Sequence, residues 1–187
     1  FIANASYLGS HDNALAGEEA TDYLYEMGHR RIAYFGVSNA MLFSAERRRG
    51  YQMSLLKHGI TPWEEDCVEV NTLNDAYEEP LKALLTAPDH PTAMLVSDDI
   101  LAVVLEQFCG KLGLRVPKDL SIVSFNNSLF SRITSPQLTT VDVTPYQLGM
   151  EAASQTINHI ENPNLLATKI LVPHKLIPRE SCCPPEV

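Results

Sequence analysis

The sequence has no long hydrophobic run, and its positive charges are few relative to its negative ones. No apolar stretch approaches the roughly 20 residues that a membrane-spanning helix needs, so we expect no membrane association. The 187 residues carry 14 basic and 23 acidic side chains, a formal net charge of -9. Because affinity for nucleic acid comes largely from lysine and arginine at the phosphates, this balance argues against a broad DNA-binding surface.

Cysteine is scarce, and the common enzyme motifs are absent. The four cysteines show no CxxC spacing, which argues against a zinc or redox pair and indicates reduced cytoplasmic thiols. There is no GxGxxG after the first strand, no phosphate-binding GxxxxGK(S/T), no GxSxG and no HExxH. The six histidines are scattered, and we expect surface or helix-end positions for them, including His11 and His29. A binding domain is therefore favoured over an enzyme, with no cofactor and no metal predicted.

The N-terminal segment FIANASYLGSHDN lacks the basic and apolar parts of a signal peptide. It begins with Phe1 instead of methionine, and we expect that the sequence starts within a longer protein. The length allows one large domain, or one domain with a fragment of another.

Short runs rich in apolar and β-branched residues alternate with amphipathic segments along most of the chain. The predicted strands are RIAYFG, Val68 to Val70, TAMLVS and LSIVSF; the predicted helices are 12–28, 44–58, 75–85, 99–112 and 145–161. Strands separated by helices of this length indicate right-handed crossovers, and so an α/β fold with a doubly wound parallel sheet. After Phe125 we expect a long loop with a β-rich end, and after the last helix two strand-like runs in ATKILVPHKLIPRES.

Polar residues follow each predicted strand, at the edge where parallel sheets bind ligands. These residues are Arg47, Arg48 and Arg49, with Met41 and Phe43 beside them, then Asn71, Thr72, Asp98, Asp99, Asn126 and Asn127. Guanidinium, amide and carboxylate groups together suit a polyhydroxylated ligand. Plainer roles stay open: a solvated helix face for the arginines, helix capping for the aspartates and a turn for the asparagines.

The predicted helix 99–112 has two apolar stripes, although covering a sheet needs only one. The stripes are Ile100, Val103, Val104 and Phe108, and Leu101, Leu105, Cys109 and Leu112. The second stripe is explained either by deep burial under neighbouring loops or by a subunit interface.

The chain resembles the effector-binding core of the LacI/GalR family of bacterial transcriptional repressors over nearly its whole length. The resemblance is carried by DNALAGEEATDYLYEMGHRRIAYFG, RRRGYQMSLLKHGI, PTAMLVSDDILAVVL, GLRVPKDLSIVSFNNS, SPQLTTVDVTPYQLG and LIPRES. It implies a two-subdomain fold like that of type I periplasmic binding proteins, with effector held between the halves. A helix-turn-helix headpiece that binds operator DNA, and most of the first subdomain, would precede this chain.

The resemblance also implies boundaries for the subdomains. Residues 1–10 would be a remnant of the first subdomain, and 11–139 most of the second, effector-binding one. Residues 140–163 would cross into the first subdomain, and 164–187 would return to the second.

The family's effector-binding arginine falls on Arg47, which leaves Arg48 and Arg49 as solvent-facing. Its polar residue after the third strand falls on Asp98, and its usual aspartate after the fourth falls on Asn126, which removes a negative charge beside Arg47. Positions that set effector identity fall on Met41, Phe43 and Asn71. The family's dimer contacts fall on the helix after SDD, at Leu101, Val103, Val104, Leu105 and Cys109. FNNS resembles the maltose and maltodextrin regulators.

The sequence thus predicts the ligand-sensing and dimerisation core of a cytoplasmic transcriptional repressor, with a small-molecule effector, most simply a saccharide, and a second copy of itself as partners. Operator DNA would be contacted only through the headpiece. The alternatives are an exported sugar-binding protein of the same fold and an enzyme built on the same sheet.

Overall fold

The computed structural model describes residues 11–38, 40–71, 76–164 and 170–186. The elements are α1 (Asn13–Glu26), β1 (Ile32–Val37), α2 (Leu42–Lys57), β2 (Cys67–Val70), α3 (Glu78–Leu85), β3 (Ala93–Val96), α4 (Asp99–Leu112), β4 (Ser121–Phe125), α5 (Leu129–Ile133), β5 (Thr139–Asp142), α6 (Pro145–Glu161) and β6 (Lys175–Ile177). The strands form one sheet in the order β2-β1-β3-β4-β5-β6. All neighbours are parallel except β6, which is antiparallel to β5. The predicted α/β fold with a doubly wound parallel sheet is confirmed.

Local capping residues explain where the helices begin and end. The Asp12 carboxylate accepts a hydrogen bond from the Leu15 backbone N–H at 2.9 Å, which satisfies a free donor at the start of α1. At the far end of α4, Gly113 adopts φ 78°, a left-handed conformation that glycine enters without steric cost. These signals are local, and the sequence alone therefore predicted both helices well.

The core is divided between the two faces of the sheet. Alternate residues of β1 supply the two faces: Ile32 and Tyr34 pack under α1 and α2, and Ala33 and Phe35 pack under α3 and α4. Every residue from Ile32 to Phe35 is at most 1% exposed. A strand covered on both faces is apolar throughout instead of alternating, which is the pattern seen in RIAYFG.

The stretch after β4 contains a helix that the sequence did not reveal. The short α5 (Leu129–Ile133) lies where a loop was predicted, because five residues are too few for a helical periodicity to be recognised. β5 continues through Asp142, so the sheet extends past the boundary predicted at residue 139. The start of the first strand-like run in the tail, 167–169, the predicted edge residue Thr72 and the remnant at 1–10 lie outside the described residues.

Helix α6 is the least covered element. None of its 17 residues is buried, and Tyr146 and Ile160 are 82% and 72% exposed. Among the described residues no helix has the length and apolar character needed to cross a membrane.

Candidate ligand-binding site

A pocket of about 460 Å³ opens at the carboxyl ends of the central strands. Its lining residues are Phe43, Arg47, Asp98, Asp99, Ile100, Asn126, Ser128 and Phe130. Four of the six predicted effector contacts therefore come together although they are far apart in sequence: Phe43, Arg47, Asp98 and Asn126. Met41 and Asn71 are exposed and do not line this pocket, so their part in effector recognition stays a prediction.

Arg47 is the buried cation of the pocket, at 4% exposure. Its Nε donates to Asn13 Oδ1 at 3.0 Å, Nη1 donates to the Ser97 carbonyl, and Nη2 donates to Asn126 Oδ1 at 3.5 Å. The guanidinium carbon also lies over the Phe125 and Phe43 rings, 4.2 and 5.1 Å from their centroids. Burial lowers the pKa of Arg47 to about 10, which still leaves the side chain charged at neutral pH.

The two neighbouring arginines differ from each other. Arg48 forms ion pairs with Glu64 and Glu69 at 2.5 and 3.4 Å, and its side chain is only 11% exposed. The prediction that it faces solvent is wrong, because its own chain supplies two carboxylates. Arg49 is exposed, as predicted. Consecutive helical residues point about 100° apart, which explains why the three arginines have three different environments.

Asp98 is both a helix cap and a pocket residue. Its Oδ1 accepts from the backbone N–H groups of Ile100 and Leu101, each at 2.9 Å, and its Oδ2 accepts from the Ser97 hydroxyl at 3.2 Å. The capping interpretation is thus confirmed, and the same carboxylate lines the pocket.

Asp99 lies at the buried end of the pocket and accepts hydrogen bonds from β4, β5 and the turn between β4 and α5. Its carboxylate, 1% exposed, accepts from the Ser124 hydroxyl at 2.6 Å, the Thr140 hydroxyl at 2.8 Å and the Ser128 backbone N–H at 2.6 Å. The sequence placed it either at the ligand-binding edge or in the first turn of the helix, and did not predict this buried network. Polar residues within the predicted strand LSIVSF and the β-rich segment after it were the signal that a buried acceptor was needed.

Asn126 and Asn127 have φ angles of 100° and 48°, so both stand in a turn that asparagine tolerates. Asn126 Oδ1 turns toward Arg47, whereas Asn127 donates to Asp142 Oδ2 at 3.0 Å and accepts from Arg179. Only Asn126 therefore lines the pocket, and Asn127 instead connects the turn to the tail of the chain.

Four lining or supporting residues were missed by the sequence reasoning. Ile100 and Phe130 are 46% and 45% exposed and give the pocket an apolar side, while Ser128 lines it and Asn13 orients Arg47 from behind. Asn13 directly follows the Asp12 cap, and nothing in its spacing links it to Arg47.

The structure corrects the predicted dimer contacts on α4. Leu101, Leu105 and Cys109 are 1%, 0% and 0% exposed and pack into the core of this chain, so they face its own sheet. Burial raises the pKa of the Cys109 thiol to about 12. Val103 and Val104 are half-buried and stay predictions.

Two histidines are also more buried than predicted. His29 is 1% exposed; its Nε2 donates to the Cys183 carbonyl at 3.0 Å and its Nδ1 meets the Thr92 hydroxyl at 2.8 Å. His11 is 8% exposed, with Nδ1 3.2 Å from the Val172 carbonyl oxygen. Burial lowers the pKa of both imidazoles. Neither lines the pocket.

A parallel sheet with a mixed polar and apolar pocket at its carboxyl edge defines an α/β ligand-binding domain. The family described as periplasmic binding protein-like domain matches residues 21–182. The transcriptional repressor CytR of Escherichia coli K12 is 30% identical over 170 residues, which are 91% of this chain and 50% of CytR.

Solved structures agree with these sequence matches. A LacI transcriptional regulator from Bacillus cereus subsp. cytotoxis superimposes with a TM-score of 0.86 at 37% identity, over 92% of this chain and 61% of that one. The complex of the transcriptional regulator CelR with cellobiose gives 0.85 at 26% identity, over 97% of this chain and 56% of that one.

The chain belongs to the periplasmic binding protein-like domain family, and its relatives identify it as an effector-binding core of the LacI/GalR type. It spans about half the length of the curated relatives it matches. The resemblance to maltose and maltodextrin regulators stays a prediction.

Proposed function

We propose that this chain is the ligand-sensing and dimerisation domain of a LacI-type transcriptional regulator, with a saccharide or related polar effector in its pocket. The observation that carries the proposal is the buried Arg47, which converges with Asp98 and Asn126 on a pocket with an apolar side. Polar groups that fix orientation beside apolar groups that cover one face are the usual composition of a small-molecule site. The cellobiose complex of CelR supports a saccharide as the ligand class.

The uncovered α6 supports a second subdomain on the other side of the effector. Its exposed apolar residues recur at helical spacing along one face: Tyr146, Met150, Ile157 and Ile160. Such a stripe favours packing against another element. We assign residues 143–163, including α6, to the first subdomain, and the tail from residue 164 to the second.

A dimer surface fits beside α4 and α5. Leu129 and Ile133 are 62% and 63% exposed. A cavity of about 740 Å³ is lined by Ile133, Phe130 and the half-buried Val103. Exposed apolar groups concentrated in this way are typical of a protein interface. A second copy of this domain is the proposed occupant.

The mechanism is a shift between two hinge angles of the subdomains. An effector that contacts both halves favours one angle only to the extent of its differential affinity for the two states. Paired headpieces on a dimer would convert that angle into a change in operator binding. The net charge of -9 agrees with a DNA contact made outside this chain. The regulator proposed is a cytoplasmic protein.

The test is Arg47→Ala in the full-length regulator, with effector affinity measured by calorimetry and operator release by mobility shift. Loss of a charged donor from a site for hydroxyl groups should weaken effector binding by about 2–4 kcal/mol. Arg49→Ala removes an exposed arginine from the same helix and should leave affinity unchanged. Unaltered induction in Arg47→Ala would refute the site.

A further inference from the structure

The hydrogen bonds of the pocket leave donors unused. A guanidinium has five N–H groups; within the described part of the chain Arg47 finds three acceptors, which leaves one N–H on each of Nη1 and Nη2. The Asn126 amide nitrogen donates to no group among the described residues. The Ser128 hydroxyl, also in the lining, has no partner there either.

The carboxylate acceptors of the pocket, in contrast, are mostly occupied. Both oxygens of Asp98 accept hydrogen bonds, from two backbone N–H groups of α4 and from the Ser97 hydroxyl. Both oxygens of Asp99 accept as well, and that carboxylate is buried. A neutral sugar hydroxyl is satisfied by donating and accepting, so it needs a free acceptor as well as a donor. A carboxylate offers about four acceptor positions, and three are filled on each of Asp98 and Asp99. The pocket therefore has more free donors than free carboxylate positions.

The charge on Arg47 has no carboxylate in hydrogen-bonding contact, and Asp98, Asp99 and Glu46 act on it only electrostatically. Its three acceptors are two side-chain amide oxygens and a backbone carbonyl, all of them neutral. The Phe125 and Phe43 rings contribute cation–π contact but no opposing charge. A buried charge is costly unless it is paired. Because the free N–H groups of a guanidinium lie in its plane, the remaining donors fit a carboxylate or phosphate, which needs donors only.

We infer that the effector carries an anionic group, a carboxylate or a phosphate. This group binds the unused N–H groups of Arg47 Nη1 and Nη2 and the side-chain amide N–H of Asn126. The inference rests on the proposed effector site and narrows its ligand class to acidic or phosphorylated saccharides. The ring of such a ligand would lie against the apolar side formed by Phe43, Ile100 and Phe130.

The first experiment follows the Arg47 Nε–H resonance of the full-length regulator by NMR at constant ionic strength. The probes are acetate, inorganic phosphate, and the matched set D-glucose, D-glucuronate and D-glucose 6-phosphate. We expect a saturable shift with at least one anion, with about tenfold lower Kd for glucuronate or glucose 6-phosphate than for glucose. The lower Kd of glucuronate and glucose 6-phosphate shows whether the site prefers a carboxylate or a phosphate.

The second experiment uses Asn126→Asp, which places a carboxylate beside Nη2 and removes an amide donor. It should weaken anion binding about tenfold or more, because the new carboxylate competes for the guanidinium. Glucose binding should not weaken. Arg49→Gln, with the same change in net charge on an exposed side chain, should alter anion affinity less than about twofold.

The inference is overturned if no anion gives a saturable shift beyond that of sodium chloride, or if glucose binds as tightly as both charged sugars. It is also overturned if Asn126→Asp leaves anion affinity intact. A response to glucose alone would refute the anionic group while leaving the proposed sugar-sensing function in place. Failure of operator release in the full-length protein would refute that function without changing the anion result.

Discussion

Asn13 Oδ1 accepts a hydrogen bond from Arg47 Nε at 3.0 Å, and the two side chains are 8% and 4% exposed. Asn13 is the first residue of α1 and Arg47 lies on α2, so one helix orients the charged group that the other carries into the pocket. The geometry of the candidate site therefore depends on how closely these two helices pack.

Asn13→Ala should destabilise the chain by about 1–3 kcal/mol, because it leaves a buried charged donor without its acceptor. Equilibrium unfolding in urea measures this change. Asn158→Ala, on the exposed surface of α6, is the control and should stay within about 0.5 kcal/mol of the wild type. Equal stability of the two variants would contradict the role given to Asn13.

Gly50→Ala should also destabilise the fold, by about 1–3 kcal/mol, because the added methyl would overlap the Ala14 carbonyl oxygen of α1. Gly17 approaches the Arg47 backbone in the same way from the other helix. Separation of α1 and α2 would displace Arg47, so effector affinity should fall as well.

The matched control for that change is Gly110→Ala, in α4. Apart from its chain neighbours and the backbone of its own helix, no described atom lies within 4 Å of the position its Cβ would take. The substitution should therefore stabilise the helix by about 0.5–1 kcal/mol. The urea midpoints of the two variants should shift in opposite directions from the wild type. If both midpoints shift in the same direction, the close approach of α1 and α2 is not the reason that residue 50 must be glycine.

His29 should make stability depend on pH. Burial holds its pKa in the folded state below the ordinary value, so the unfolded chain binds a proton more readily. The stability that the neutral His29 provides is complete above about pH 6.5 and is lost as pH falls through the lowered pKa of the folded state. The free energy of unfolding then changes by at most about 1.4 kcal/mol per pH unit. Urea midpoints at several pH values should therefore fall less steeply in His29→Gln than in the wild type. If the urea midpoints of the two proteins fall equally with pH, His29 is not a source of the pH dependence.

Ile133→Lys should weaken self-association about tenfold or more, because it places a charge in the proposed dimer surface. Sedimentation equilibrium measures the association constant. Leu56→Lys is a control of equal exposure, 62% against 63%, on α2. A wild-type chain that is monomeric at all concentrations, or a Leu56→Lys variant that dissociates equally, would refute this surface.

Much of the fold was predictable from the sequence because its signals are local. The apolar strands, the amphipathic helices, the Asp12 cap and the glycine after α4 each depend on neighbours within a few residues. The rule that parallel sheets bind ligands at one edge selected Arg47, Arg48 and Arg49 together. The family resemblance then singled out Arg47.

Only the tertiary structure decided which partners these residues have. Periodicity showed two apolar stripes on α4 but not which of them faces the sheet, and the structure buries Leu101, Leu105 and Cys109. The ion pairs of Arg48, the support of Arg47 by Asn13 and the burial of Asp99 join residues 16 to 41 positions apart. Such contacts depend on how separate elements are brought together by burial of the whole core, and no local pattern records them.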